Sequence, residues 1–186
     1  MLPHVIFLLF PFSQTILPNF SGFAASLLRF LATLSLISSD SELQLQQNAK
    51  TLAEILNHDF RKIGYRYDNT AFVEADSERI SFYSDIDRDG IIELVTLMLG
   101  DTTEVSGTTN PRDRILYRIV DNDTSKGPSL GLTKTKFSYF TGSGVPTTTL
   151  SEIQYVKAEL WVETIELVND GYPFTYWELI INPRNL

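Results

Sequence analysis

The sequence predicts an α+β fold in which a long N-terminal helix packs by its C-terminal half on an antiparallel β-sheet. Three observations predict it. An apolar, almost uncharged segment, Phe23 to Ile37, passes at Ser38-Ser39-Asp40-Ser41 into an amphipathic one. Leu45, Ala49, Leu52, Ala53, Leu56, Phe60 and Ile63 then step by three and four residues, the spacing that lines one face of an α-helix. After Gly64 the chain turns to short β-rich runs separated by turn-forming residues. If both helical halves form one helix of about 40 residues, it is roughly 60 Å long at 1.5 Å per residue. No small domain buries such a helix alone, so its first half needs cover from lipid or from other copies of the chain.

The expected organisation is a leader or misassigned start over residues 1–22, an apolar membrane and assembly half-helix over 23–40, and a globular α+β head over 41–186. Residues 1–20 are apolar, but Pro3, Pro11 and Pro18 break them, and a helix interior tolerates proline badly. His4 is the sole candidate cation where a leader carries a charged n-region. Residues 23–38, FAASLLRFLATLSLIS, make a better helix. At about 16 residues it falls short of the roughly 20 that span a bilayer, and Arg29 interrupts it. It is expected to seek membrane or its own kind, with neighbours completing the span.

The second half-helix has its own start signals: Asp40 or Ser41 as cap and Glu42 in the first turn, where the helix dipole favours an acid. Gly64 closes it, after Arg61 and Lys62 in the last turn. Strands are expected at Phe72–Glu74, Arg79–Ser84, Ile91–Leu99, Arg114–Val120, Leu132–Phe140, Ile153–Thr164 and Phe174–Ile181. Between them, Gly100–Asp113, Asp121–Gly131, Thr141–Ser151 and Val168–Tyr172 read as surface loops. Val156, Ala158, Leu160 and Val162 alternate with Lys157, Glu159, Trp161 and Glu163, so one sheet face is apolar and needs a cover. The Leu52, Leu56, Phe60 stripe is the cover expected.

Composition narrows the function. The net charge of −8 is uneven: residues 1–39 hold only Arg29, which leaves 14 basic against 23 acidic residues in 40–186. An acidic body repels nucleic acid and offers anionic lipid no polybasic patch. The absence of cysteine excludes disulfides, thiolate catalysis and cysteine zinc sites. No catalytic residue is expected. His4 lies in the leader and His58 four residues after Glu54 on the polar helix face, so neither meets a nucleophile. Glu163 with Glu166, and Asp121 with Asp123, are carboxylate pairs at loop or strand-edge positions, where solvated surface is the expectation.

The sharpest local signal is Ser84-Asp85-Ile86-Asp87-Arg88-Asp89-Gly90-Ile91-Ile92-Glu93. Carboxylates at alternate positions followed by Gly fold around a hard cation. Asp85, Asp87 and Asp89 supply oxygens, Gly90 the sharp turn, Ile91 a backbone carbonyl, and Glu93 a ligand directly or through water. Calcium suits an oxygen-only set. The twelfth position holds Thr96 rather than a bidentate Glu, and strands rather than helices flank the loop, which sets it apart from an EF-hand. A plain hairpin ending in Asp-Gly is the competing reading.

In the order of its parts the chain resembles a type IV pilin-like protein, a minor pilin or pseudopilin of the prepilin class. Gly22-Phe23 heads the apolar helix, LQLQQNAKTLAEILNHDFRKIGY continues it, and ISFYSDIDRDGIIELVTL forms a hairpin in a β-rich head that ends in Pro183-Arg184-Asn185-Leu186. The resemblance implies peptidase cleavage between Gly22 and Phe23. It also implies an assembly helix containing Ala24, Ala25, Leu27, Leu28, Arg29, Leu31 and Ala32, with small residues allowing close approach to other subunits. Leu27 stands where the family carries a Glu, and no Lys or Arg precedes Gly22. The implied function is a non-enzymatic subunit of a type IV pilus or type II secretion pseudopilus. Its partners are other pilin or pseudopilin subunits and the inner membrane. It then lies in the bacterial envelope, with the head outside the cytoplasm, and in a filament after assembly. The alternative is an exported calcium- or carbohydrate-binding module with a cleaved signal peptide, for which Tyr139, Phe140, Tyr155, Trp161, Tyr172, Phe174, Tyr176 and Trp177 offer a sugar-binding face, cross-strand packing being the competing reading of these aromatics.

Overall fold

The computed structural model describes residues 17–105, 107–121, 123–127, 130–168 and 170–186, and in the first helix the side chains of 26–29 and from 40 onward. The leader expected over residues 1–22 therefore lies mostly outside the described residues. Helix α1 spans Leu17–Phe60. The chain divides within it into two compact units, residues 1–39 and 40–186. Among the described residues, no helix is long and apolar enough to cross a membrane.

The body, residues 40–186, corrects the expected fold class. It is mostly β, with one helical stretch of 21 residues, and not a long helix laid on one sheet. Strands β1 (Phe72–Ala75), β2 (Arg79–Ser84), β3 (Glu93–Leu99), β4 (Leu116–Val120) and β5 (Asp123–Lys126) form an antiparallel sheet in that order. Strands β6 (Leu132–Phe140), β7 (Tyr155–Glu163) and β8 (Phe174–Ile181) form a second antiparallel sheet. The physical reason lies in the cover. Alternation requires something apolar on the inner face of a sheet but does not say what, and here both sheets and the helix feed one cluster. Phe82, Val95 and Leu97 enter it from the first sheet, Phe137, Val156 and Leu160 from the second. Phe72 of β1 meets Tyr139 of β6 edge to face, with ring centroids 6.3 Å apart.

The helical stripe is buried throughout: Leu45, Ala49, Leu52, Ala53, Leu56, Phe60 and Ile63 all lie in the core. Phe60 also contacts Phe137 of β6 edge to face at 5.8 Å. Burial of Leu52, Leu56 and Phe60 is worth about 1.5–3 kcal/mol each relative to exposure.

The end of α1 positions the loop of interest. After Phe60 the hydrogen bonds tighten, with Lys62 N donating to Asp59 O and Ile63 N to Phe60 O, so the last turn narrows. Gly64 follows at φ +74, where a Cβ would meet the Asn185 carbonyl oxygen at 2.7 Å. Its N–H then leaves the helix for the carbonyl of Tyr83 in β2, at 3.0 Å. Asp85 N donates to Tyr65 O at 3.0 Å, and the Ser84 hydroxyl to Lys62 O at 2.7 Å. The turn after the helix and the end of β2 are thus laced together at Asp85.

Candidate metal centre

Antiparallel pairing of β2 with β3, Ser84 opposite Glu93, closes a hairpin whose loop is Asp85–Ile92. Inside it, side chains cap the backbone as turn-forming aspartates do. Asp87 Oδ1 accepts from Asp89 N at 3.1 Å, and Asp89 Oδ1 from Ile91 N at 2.8 Å. Arg88 and Gly90 both have positive φ, +72 and +95. Gly90 takes this conformation without the Cβ penalty, and its N–H donates to Asp85 Oδ2 at 3.2 Å.

This winding brings Asp85, Asp87, Asp89 and Glu93 together, with one carboxylate oxygen from each lying within 4.8 Å of the others. The four acids can hold a metal ion. They differ in setting. Asp87 and Asp89 are exposed, Glu93 is buried, and Asp85 is fully buried. Glu93 Oε2 accepts from Ile86 N at 2.9 Å, which ties the far strand back to the loop. Asp85 Oδ2 accepts from Arg66 Nη1 at 2.8 Å, but Asp85 Oδ1, equally buried, has no hydrogen-bond partner. A buried carboxylate oxygen without a donor carries a desolvation cost that a cation would offset.

Two residues that the spacing of the loop does not reveal hold it in place. Arg66, half-exposed and at φ +60, forms the ion pair with Asp85. That hydrogen bond, with Tyr65 and the Asp85 charge close by, holds the Arg66 pKa above its ordinary value. Lys62 Nζ donates to Ile86 O at 2.6 Å. Of the cations near the loop, Arg66 forms an ion pair with the cluster while Lys62 bonds a backbone carbonyl, and like charges as close as these four carboxylates repel.

The remaining expected residues stand as follows. Ile91 has an exposed side chain. Gly22, Phe23, Ala24, Ala25, Leu31 and Ala32 fall in α1 with side chains outside the described ones. Leu27 and Leu28 are exposed, at 47% and 68%, and Arg29 is exposed too. His58 Nδ1 lies 3.1 Å from Asp59 Oδ1. The Glu163 carboxylate is taken up by Arg112 at 2.8 Å and Asn110 at 2.9 Å. Asp121 sits at φ +51 and accepts from Leu94 N. Of the aromatic residues, Tyr139 is buried, and its hydroxyl donates to Asp76 O at 2.7 Å. Burial pushes the Tyr139 pKa well up, with the charges of Asp76 and Glu74 adding to it. Trp161 and Tyr176 pack edge to face on neighbouring strands.

No protein-family model matches the chain, and no curated protein or solved structure shows significant similarity to it.

Proposed function

We propose that this protein is a non-catalytic calcium-binding structural module, in which the ion staples the β2–β3 hairpin to the turn that follows α1. The observation that carries this is Asp85 Oδ1, fully buried and without a protein donor, in a cluster of four acids. The donors are all hard oxygens, which favours calcium or magnesium over transition metals. Of those two, calcium tolerates a flexible set of oxygens at about 2.3–2.6 Å, whereas magnesium demands near-ideal octahedral geometry at about 2.0–2.1 Å and gives up its waters reluctantly. The four carboxylate oxygens, within 4.8 Å of one another, are close enough for one ion to bridge. Binding would cancel two of the cluster's negative charges and tie Asp85, already linked to Tyr65 and Arg66, to β3 through Glu93.

The test is thermal unfolding of the full-length chain with calcium, with magnesium and with chelator. Calcium at a hundredfold excess over Kd should stabilise by about 2.7 kcal/mol. Asp87→Asn with Asp89→Asn should remove that gain. Absence of any calcium effect on the unaltered chain would refute the site.

A second reading is favoured by the exposed Leu27 and Leu28 on α1. On this reading the helix assembles with the same helix of other subunits, as in the pilin-like class, and the calcium-stapled body is the head of an envelope filament. Because the chain has no cysteine, Leu28→Cys introduces a sole thiol. Oxidative cross-linking of that variant in isolated membranes should give dimers, and the mature N-terminus should be Phe23. Failure of both ends this reading and leaves the calcium site untouched.

A further inference from the structure

A cavity of about 920 Å³ opens beside the acidic loop, between the end of α1 and the chain after β8. Arg61, Lys62, Arg88 and Arg184 line it, with Asp87 as the sole acid among its lining residues. In a chain of net charge −8, the lining itself carries an excess of three positive charges, although Asp85, Asp89 and Glu93 adjoin its one acid. None of the four cations lies within ion-pair distance of a carboxylate among the described residues, whereas Arg66, Arg79, Arg112, Arg114, Arg118 and Lys157 all do. Arg61 Nε donates to the amide oxygen of Asn57 at 3.0 Å, and Lys62 to the carbonyl of Ile86. Both therefore keep further N–H groups for another acceptor.

We infer that this cavity binds a phosphorylated sugar or polyol. Three guanidinium groups and an ammonium line this cavity, and guanidinium groups grip the oxygens of a phosphoryl group by paired charged hydrogen bonds. An excess of three positive charges suits the roughly −1.5 to −2 charge of a phosphomonoester better than a single carboxylate. The volume falls within the range of small-molecule sites and exceeds what inorganic phosphate fills. The rest of the lining fits a hydroxylated body: Asn57 keeps its amide N–H groups and Asn185 its amide oxygen for a ligand, their other amide atoms being bonded to Arg61 and to the Arg61 and Ile63 carbonyls, and Tyr65 with Ile180 offers apolar surface. The inference stands apart from the calcium reading, although Asp87 belongs to both places.

The test is calorimetric titration of the full-length chain in EDTA, which keeps divalent ions out. Glucose 6-phosphate should bind and glucose should not. Arg61→Gln with Arg184→Gln should weaken binding about tenfold or more, by loss of two charged hydrogen bonds. Arg88→Gln alone serves if that pair lowers the melting temperature. If the natural source is a lipid headgroup, vesicles containing phosphatidylinositol 4-phosphate, which carries a phosphomonoester on a polyol, should co-sediment with the chain in place of soluble binding, and lose it in the same variants. Binding of neither probe, equal binding of glucose, or binding unchanged in the variants would overturn the inference.

Discussion

Asp59 and Asp85 are both buried acids near the end of α1, with 2% and 0% of their side chains exposed, yet the chain provides for them differently. Asp59 Oδ2 accepts from Arg118 Nε at 2.6 Å, and its Oδ1 lies 3.1 Å from His58 Nδ1 and 3.4 Å from Arg118 Nη2. Both of its oxygens are served. Asp85 has Arg66 and Gly90 on one oxygen, nothing on the other, and three further acids close by. Burial alone does not mark a functional acid. Between these two, the difference is whether protein donors account for both buried oxygens: at Asp59 they do, and at Asp85 they do not.

Four substitutions sharpen or break this contrast. The largest effect is expected from Leu56→Ala, three residues before Asp59 and fully buried: a loss of about 2–5 kcal/mol in urea unfolding, with or without calcium. Asp59→Asn should follow at about 2–3 kcal/mol, equally indifferent to calcium, since it leaves Arg118 without its charge partner. Arg118 is part exposed, which keeps this below the full cost of breaking a buried pair. A calcium-dependent loss at Asp59 would break the contrast. Gly90→Ala should cost about 1–2 kcal/mol because an L-residue at this φ is strained, and it should weaken calcium binding as the turn distorts. No atom lies within 4 Å of the added methyl, so packing contributes nothing to that loss. The smallest effect, within about 0.5 kcal/mol and towards greater stability in chelator, belongs to Asp89→Asn. It keeps an acceptor for Ile91 N while relieving repulsion among the acids. Destabilisation in chelator would show that the cluster is not repulsive.

How far the sequence reveals all this depends on whether the deciding forces are local. Strand β7 is legible because Val156, Ala158, Leu160 and Val162 alternate with polar neighbours, and all four are buried. Strand β5 is not: Asp123-Thr124-Ser125-Lys126 is polar and wholly exposed, and it is a strand only because it pairs with β4. The division into two sheets is likewise hidden, since alternation shows that a face is covered and not by what. At the site, the alternate spacing of Asp85, Asp87 and Asp89 is local and legible. The Arg66 partner lies 19 residues from Asp85 and Lys62 lies 24 from Ile86, joined through hydrogen bonds that only the fold creates. Asp59 left a trace that is clear once the structure is seen: it stands seven residues after Leu52 and three after Leu56, on the buried stripe.

On the proposed reading, the Asp85 oxygen that has no protein donor belongs to a calcium site. Calorimetric titration of the full-length chain with calcium tests it most directly. A single saturable site is expected, at least about tenfold weaker in magnesium because that ion demands octahedral geometry and dehydrates reluctantly, and abolished by Asp87→Asn with Asp89→Asn while both proteins stay folded. Absence of heat from calcium in the folded chain, or binding that survives the double substitution, would contradict it.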